Sequence, residues 1–206
     1  MNQDNYRIEV HPFGKSIPPT AKQLIIGTFP THEDNYKHTF DFYYAGQGNS
    51  FWTVIENVFN YKFMFSAGSN AVEERKNLLW NYDVGITDMH QKCYRKNKKS
   101  GDEFLFPINL LDIFEVLEEY KTVERLILTS RTDAIGALGL LKTWFLQRNL
   151  ELKKPILRPD KILQTDFIYK DKKINVFVPY STSRRVKSEI STLTRMYSVC
   201  LNKFIT

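Results

Sequence analysis

The segment with the clearest chemical potential is rich in glycine and aromatic residues and follows a short apolar run at residues 24–26. In Gly27-Thr28-Phe29-Pro30 the glycine permits a tight turn and the proline stiffens the chain. The pair Tyr43-Tyr44 offers flat faces for a planar ligand, and Gly46 and Gly48 allow its close approach to the backbone. Amides that open the following helix could hold an anion. A plain turn, a helix cap and packed aromatics fit the same residues, and both interpretations stay open here.

A second polar segment follows another short apolar run. Residues 83–88 end in Asp88, and the motifs Cys93-Tyr94-Arg95 and Ser100-Gly101-Asp102 come after it. The pattern does not decide whether Asp88 anchors a loop or takes part in catalysis. Residues 92–99 contain five cations and no acid, which is typical of a solvated loop and also suits phosphate binding. We predict residues 91–101 to be a loop, with Arg95 and Lys98 as candidate phosphate contacts.

A third polar segment, Ser181-Thr182-Ser183-Arg184-Arg185, follows the apolar residues 174–178. We place Arg184, Arg185 and Lys187 in the first turn of a final helix. Cations there are disfavoured by about 0.3–1 kcal/mol each, so a bound anion would offset the cost. A serine-capped helix with surface arginines explains the pattern equally well.

Hydrophobic spacing supplies the elements that must position these segments. Strands alternate with helices along the chain, which favours a parallel sheet covered on both faces. We therefore predict an α/β fold, a three-layer α/β/α sandwich with a central, mainly parallel four-stranded sheet. Loops at the carboxyl ends of such strands form sites, so residues 29–49, 87–102 and 180–185 should converge. The predicted strands cover residues 24–28, 84–88, 125–129 and 174–178, with 167–169 as the first strand of a hairpin; the predicted helices cover 50–59, 71–82, 110–120, 132–147 and 184–201.

Length and composition limit the classes of protein to consider. The 206 residues suit one domain, and 42% hydrophobic with 25% charged residues argues against wholesale disorder. A net charge of +6 favours acidic partners only weakly. Two cysteines without a CxxC pair predict no metal site, and we also expect no cofactor. The chain shows neither a signal peptide nor a membrane-length apolar run, so we predict a monomeric cytoplasmic protein that contacts no membrane.

Taken together, the three segments resemble the uracil-DNA glycosylase superfamily, and most closely its hypoxanthine-DNA glycosylase-like branch. A strand ending in Gly-x-x-Pro is followed by a Tyr-Tyr-x-x-x-x-Asn-x-Phe-Trp string, which Tyr43, Tyr44, Asn49, Phe51 and Trp52 match. The Cys-x-Arg and Ser-x-Asp motifs at 93–95 and 100–102 occur in a similar order in that family, where their role is mostly structural. Residues 179–183 are similar to its Pro-Ser-x-Ser motif, which enters the DNA minor groove. The resemblance covers residues 24–185 and implies a uracil-DNA-glycosylase-like fold.

The resemblance also implies roles for individual residues. It makes the protein a DNA glycosylase that flips a deaminated base, uracil or hypoxanthine, out of damaged duplex or single-stranded DNA and excises it in base excision repair. Many family members orient water with an acid or amide two residues after the first glycine, where this chain has Phe29, so Asn49 becomes the catalytic candidate. The implied base pocket comprises Gly27, Thr28, Phe29, Pro30, Tyr43 and Tyr44, and the implied DNA contacts are Ser181, Thr182, Ser183, Arg184, Arg185, Arg95 and Lys98.

Other interpretations remain open. No histidine stands at residues 179–181, and Gly46-Gln47-Gly48 replaces the His-Pro-Arg-type triplet of the branch. A non-catalytic DNA-binding module of the same fold is therefore one alternative. An unrelated α/β enzyme acting on a phosphorylated small molecule is another, although no Walker loop or GxGxxG follows any predicted strand. Proton donors or bases other than Asn49 could come from His32, His38, His90, Glu33, Asp34 or Asp41.

Overall fold

The computed structural model of the chain describes residues 5–203 and has two β-sheets. The larger sheet has six strands in the order β3-β2-β6-β9-β8-β7, and the smaller has three in the order β1-β4-β5. The strands are β1 (Tyr6–Val10), β2 (Gln23–Gly27), β3 (Val84–Asp88), β4 (His90–Lys96), β5 (Leu105–Leu110), β6 (Arg125–Leu128), β7 (Ile156–Leu157), β8 (Leu163–Tyr169) and β9 (Lys172–Val178). The helices are α1 (Phe51–Phe59), α2 (Gly68–Asn81), α3 (Ile113–Glu119), α4 (Ala137–Leu146) and α5 (Ile190–Cys200).

The four predicted parallel strands are present, but the sheet that contains them is six-stranded and mixed. Strands β3, β2, β6 and β9 are neighbours and run parallel. Strand β8 is antiparallel to β9 because only Lys170 and Asp171 connect them, and both residues have positive φ. The short β7 then adds to the outer edge of β8. The predicted hairpin with a central second strand is therefore confirmed, whereas the four-strand count is wrong.

Helices cover both faces of the larger sheet because its central strands are apolar on both sides. In β2, Ile25 faces a core formed with α1, α2 and α5. Leu24 and Ile26 face a second core formed with α3 and α4. The α/β class and the three layers are thus present. Over residues 5–203, no helix is both long and apolar enough to cross a bilayer.

The smaller sheet was not predicted, because its central strand lies where the sequence indicated a loop. Strand β4 pairs antiparallel with β1 on one side and with β5 on the other. Cys93 and Arg95 are buried against the rest of the protein, while Tyr94 is exposed. The hydrophobicity pattern did not reveal this alternation, because it counts the buried Arg95 as polar, like the lysines around it.

The final helix begins later than predicted. It starts at Ile190, so Arg184 and Arg185 lie in a turn before it and Lys187 in the irregular segment that follows the turn. Hydroxyl groups hold that turn: Ser181 Oγ accepts from the Ser183 amide at 3.2 Å, and Ser183 Oγ accepts from the Arg185 amide at 3.4 Å. The inference that an anion offsets cations in a helical first turn is therefore wrong.

Candidate functional site

The three predicted loops converge at the carboxyl ends of the parallel strands. They enclose a cavity of about 270 Å³, which we call the strand-end pocket. Phe29 and Asn49 come from the first loop, Asp102 from the second and Ser181 from the third. Ser130, two residues beyond the end of β6, also lines it. The volume is slightly below the roughly 300–1,000 Å³ of typical ligand pockets, so one flat ring system fits better than an extended ligand.

Asp102 is the notable carboxyl group of this pocket. It opens a single helical turn at Asp102–Phe104 and is half-buried. Thr28 Oγ1 donates to its Oδ2 at 3.1 Å, and Ser130 Oγ does so at 3.4 Å. Burial raises the pKa of Asp102 to about 6 despite these two hydrogen bonds, and the negative charges of Asp88 and Glu103 also raise it. At neutral pH it is therefore a mostly ionised carboxylate that accepts a proton more readily than an ordinary aspartate.

The sequence pointed to Asp102 only as part of a structural motif. The available signal was its position, an acid in a Ser-Gly-Asp turn at the end of a loop predicted to reach the site. Its partners could not be foreseen, because Thr28 and Ser130 lie far from it along the chain.

A second carboxyl group, that of Asp88, lies under the first loop in a closed environment. His11 Nδ1 accepts from the amides of Phe13 and Gly14 at 3.2 and 3.1 Å, so its proton is on Nε2. That nitrogen donates to Asp88 Oδ2 at 3.1 Å, and both side chains are almost fully buried. We call these two residues the buried pair. Asp88 therefore has an anchoring role, and His11 is a residue that the sequence reasoning missed.

Gly27 is required by the position of the buried pair. It lies opposite Asp88 in the register of β2 and β3. A Cβ atom at Gly27 would lie 2.1 Å from Asp88 Oδ1 and 2.5 Å from the Tyr44 hydroxyl oxygen. The absence of a side chain at Gly27 therefore allows Asp88 and the Tyr44 hydroxyl to lie against the backbone of β2.

Phe29 and Tyr44 form aromatic walls of the strand-end pocket. The Phe29 ring lies edge-on to His11 and His90, with centroid distances of 5.5 and 6.1 Å. Tyr44 stacks on Phe51 with centroids 4.1 Å apart, and its hydroxyl is 2.8 Å from Thr129 Oγ1. Both rings are held by the protein, so a planar ligand would meet them in fixed orientations.

Three of the six predicted pocket residues, Gly27, Pro30 and Tyr43, do not line it. Tyr43 is buried in the core, where its hydroxyl donates to the Gly14 carbonyl. Pro30 lines a neighbouring cavity, and its carbonyl accepts from Arg95 Nη2 at 2.7 Å. Burial thus excludes Tyr43 as a stacking surface for a base.

Asn49 lines the pocket, but its carbonyl oxygen is occupied. Oδ1 accepts from the Phe51 amide and from Thr182 Oγ1, both at 2.9 Å. The first bond satisfies the backbone N–H of Phe51, the first residue of α1. The Asn49 amide nitrogen remains as the group that can donate to a ligand. Thr182 itself is buried and acts on the pocket through Asn49.

The predicted phosphate contacts fall into four groups. Arg95 is 1% exposed and donates to Glu9, Lys99 and Pro30, so it braces loops and cannot reach a phosphate. Arg185 borders the pocket but pairs with Glu103 at 2.7 Å. Arg184, which packs over Gly48, and Lys98 are exposed as well. Ser181 and Ser183 both line the pocket.

The other proton carriers considered from the sequence do not line the strand-end pocket. Burial lowers the pKa of His90 to about 4, with further lowering by Arg95 and His11, so His90 is neutral at physiological pH. His32 is buried beside the neighbouring cavity, whereas His38 is exposed. The acids are exposed as well: Glu33, Asp34 and Asp41.

Comparison with known proteins adds no family to this description. No family model matches the sequence, and no curated protein matches it significantly. Across residues 5–203, no three side chains of His, Cys, Asp or Glu are grouped so as to hold a metal ion.

Proposed function

We propose that the protein hydrolyses the N-glycosidic bond of a deaminated base, uracil or hypoxanthine, in DNA. The observation that carries the proposal is Asp102, a carboxylate with a pKa of about 6 that lines a base-sized pocket with aromatic walls. A general base works best when its pKa is near the working pH, and few surface carboxylates meet that condition.

In this proposal Asp102 activates water. The water oxygen bonds to the sugar carbon C1′ while the bond from C1′ to the base nitrogen breaks. The base leaves with the electron pair, and the water proton passes to the Asp102 carboxylate. Thr28 and Ser130, which donate to Oδ2, fix the carboxylate and leave Oδ1 for the water. In this proposal Asp102, and not Asn49 as the resemblance implied, is the residue that activates water.

Asn49 then acts on the base. Because its Oδ1 is held by Phe51 and Thr182, its NH₂ group has a fixed direction. Uracil and hypoxanthine both carry carbonyl oxygens, which accept from such a donor, and negative charge develops on them as the bond breaks. Phe29 and Tyr44 supply the walls against which a flipped base would lie.

The substrate is proposed to be DNA because donors and cations surround the mouth of the pocket. Ser181 and Ser183 bring hydroxyls there, and Arg184 is an exposed cation beside them. Such groups bind phosphate oxygens and position a strand without reading its sequence.

A non-catalytic DNA-binding module is the second candidate. It is favoured by Phe29, which places an apolar ring where related enzymes hold a water-orienting side chain. It predicts that a base enters the pocket and is not released.

The test is excision from oligonucleotides that carry one uracil or one hypoxanthine, in duplex and single-stranded form, followed by alkaline cleavage of the abasic site. Wild type should produce cleaved product from at least one substrate, and Asp102→Asn should not. Asn49→Ala should slow the same reaction and weaken binding of the modified base.

The possible results separate the candidates. Preferential binding of the modified oligonucleotides without excision establishes the binding module. If the protein neither cleaves them nor distinguishes them from unmodified DNA, both proposals fail. Product that persists in Asp102→Asn overturns the role of Asp102 alone.

A further inference from the structure

Two of the loops that form the strand-end pocket are joined by an ion pair. Arg185 Nη1 donates to Glu103 Oε1 at 2.7 Å, and both residues line the pocket. Glu103 follows Asp102 in the single helical turn, whereas Arg185 lies in the turn before α5. We call Glu103 and Arg185 the rim pair. A change in this pair therefore acts on the pocket directly, beside its carboxylate.

The rim pair is open to solvent and is easily exchanged. The Arg185 side chain is 63% exposed and that of Glu103 43%. Ion pairs this exposed contribute little to stability, because water and salt screen them. Within residues 5–203, the guanidinium group of Arg185 makes this one hydrogen bond and has further N–H groups to donate. Another anion can therefore replace Glu103 as its partner at small cost.

Glu103 keeps a donor of its own if Arg185 leaves. A hydrogen bond from its own backbone amide lowers the pKa of Glu103 most, and Arg185 and Lys99 lower it further. The carboxylate is therefore ionised at neutral pH. Since its amide cannot depart and the side chain is exposed, loss of Arg185 leaves no buried charge unpaired.

A phosphate group suits Arg185 better than the carboxylate does in this arrangement. A guanidinium group can bind two phosphate oxygens side by side, whereas Arg185 reaches one oxygen of Glu103. The hydroxyl-bearing residues Ser181 and Ser183 line the same pocket, and Arg184 is exposed beside them. A nucleic-acid strand meets all of these groups, while a free phosphate meets one or two.

We propose that a phosphate of a bound DNA strand displaces Glu103 as the partner of Arg185. The displaced carboxylate stays near the phosphate and repels it, so a small free anion does not open the rim pair. A strand does, because its contacts with the serines and Arg184 offset that repulsion. Glu103 thus acts through Arg185 to select strands over free anions. This inference rests on the proposed function, in which the pocket accepts DNA.

The experiment is fluorescence anisotropy with a labelled, unmodified DNA duplex of about 15 base pairs at about 50 mM salt. Glu103→Gln frees Arg185 and should tighten binding by about threefold, the effect of losing one exposed ion pair. Arg185→Ala should weaken binding by about threefold and reduce the slope of log affinity against log salt by about one. In the Arg185→Ala background, Glu103→Gln should no longer tighten binding beyond the control. Circular dichroism checks that each variant folds.

Glu33→Gln is the matched control. Glu33 is an exposed acid of the first loop, and within residues 5–203 it has no ion pair. Its replacement removes the same charge and should change affinity by less than about 1.5-fold. Inorganic phosphate, added at constant ionic strength, tests the selection: it should displace DNA from Glu103→Gln at about threefold lower concentration than from wild type.

Several outcomes overturn the inference: equal gains from Glu103→Gln and Glu33→Gln, a gain that persists without Arg185, or equal competition by phosphate in wild type and Glu103→Gln. Absence of DNA binding by wild type and Glu103→Gln alike overturns it too. None of these measurements requires excision. An Arg185-dependent gain in a protein that excises nothing supports the inference while the proposed hydrolysis fails, and excision without the gain gives the reverse.

Discussion

Two aspartates near the carboxyl ends of the parallel strands have opposite surroundings. Asp88 is closed in by His11 on one side and by Gly27 on the other. Asp102 receives two hydroxyl hydrogen bonds and still lines the strand-end pocket. Position at a strand end therefore does not make an acid functional. Access distinguishes the two acids, since Asp88 is enclosed with His11 and leaves no room for a substrate, whereas Asp102 faces the pocket.

The strongest expected contrast is between variants of these two acids. Asp102→Asn removes the proposed base, so the single-turnover excision rate should fall about 10³-fold. Its urea midpoint should not fall, because an amide is easier to bury than a carboxylate. Asp88→Asn should instead lower the urea midpoint. If Asp102→Asn excises within a few-fold of wild type, the two acids do not differ as proposed.

Removal of the histidine from the buried pair should be the largest purely structural effect. His11→Ala leaves the carboxylate of Asp88 buried without its donor, which should lower the free energy of unfolding by about 3 kcal/mol. Urea denaturation at neutral pH measures this. His38→Ala is the control, because His38 is exposed and its loss should change stability by less than about 0.5 kcal/mol. Equal effects of the two variants would show that the buried pair contributes nothing special.

A methyl group at Gly27 should cost somewhat less. It would collide with Asp88 Oδ1 and the Tyr44 hydroxyl, so Gly27→Ala should lower the free energy of unfolding by about 2 kcal/mol. Shortening the partner provides the check: in an Asp88→Ala background the added cost of Gly27→Ala should shrink, as a double-mutant cycle measures. Strict additivity would mean that the contact with Asp88 is unimportant.

The mildest predicted effect is on pH dependence. With the pKa of Asp102 at about 6, the ionised fraction falls about tenfold from pH 7 to pH 5, and the excision rate should fall with it. A rate profile across this range measures the change. A profile that is flat between pH 5 and 7 would exclude Asp102 as the base.

The same shift predicts a stability effect with a defined sign. Burial raises the pKa in the folded protein above the ordinary value of 3.8, so the folded state binds this proton more readily than the unfolded chain. The resulting stabilisation is complete below about pH 4 and is lost as the pH rises through about 6. Asp102→Asn should therefore gain stability relative to wild type at pH 8, and the gain should disappear at pH 4.

Sequence periodicity was sufficient for the parallel strands and the hairpin of the larger sheet, but not for the two-residue strand β7. Apolar runs such as residues 24–26 and 174–178 are buried whatever surrounds them, so the parallel strands and the hairpin could be predicted. Strand β4 could not, because Arg95 is buried only through its bonds to Glu9, Lys99 and Pro30. Such long-range pairing leaves no periodic trace in the local sequence.

The site likewise has a part that could be predicted from the sequence and a part that could not. The convergence of Phe29, Asn49 and Ser181 followed from the placement of loops at strand ends and is confirmed. The partners of Asp102 and the pairing of His11 with Asp88 depend on contacts between distant segments. Tyr43 and Tyr44 show the limit most sharply: they are adjacent in the chain, yet one is buried in the core and the other lines the pocket.

The position of Asp102 between β4 and β5 has a consequence for the order in which parts of the protein unfold. The smaller sheet has only three strands and depends on β1, whose Tyr6 pairs with the distant Lys96. The hydrogen bonds of such a small sheet open locally at a lower free-energy cost than those of a core covered by helices. On gentle warming, the smaller sheet should therefore detach before the six-stranded sheet melts and take with it the carboxylate of the pocket. Hydrogen exchange should show amides of β4 and β5 opening ahead of those of β2 and β6, in a molecule that has lost its site while most of its helices are intact.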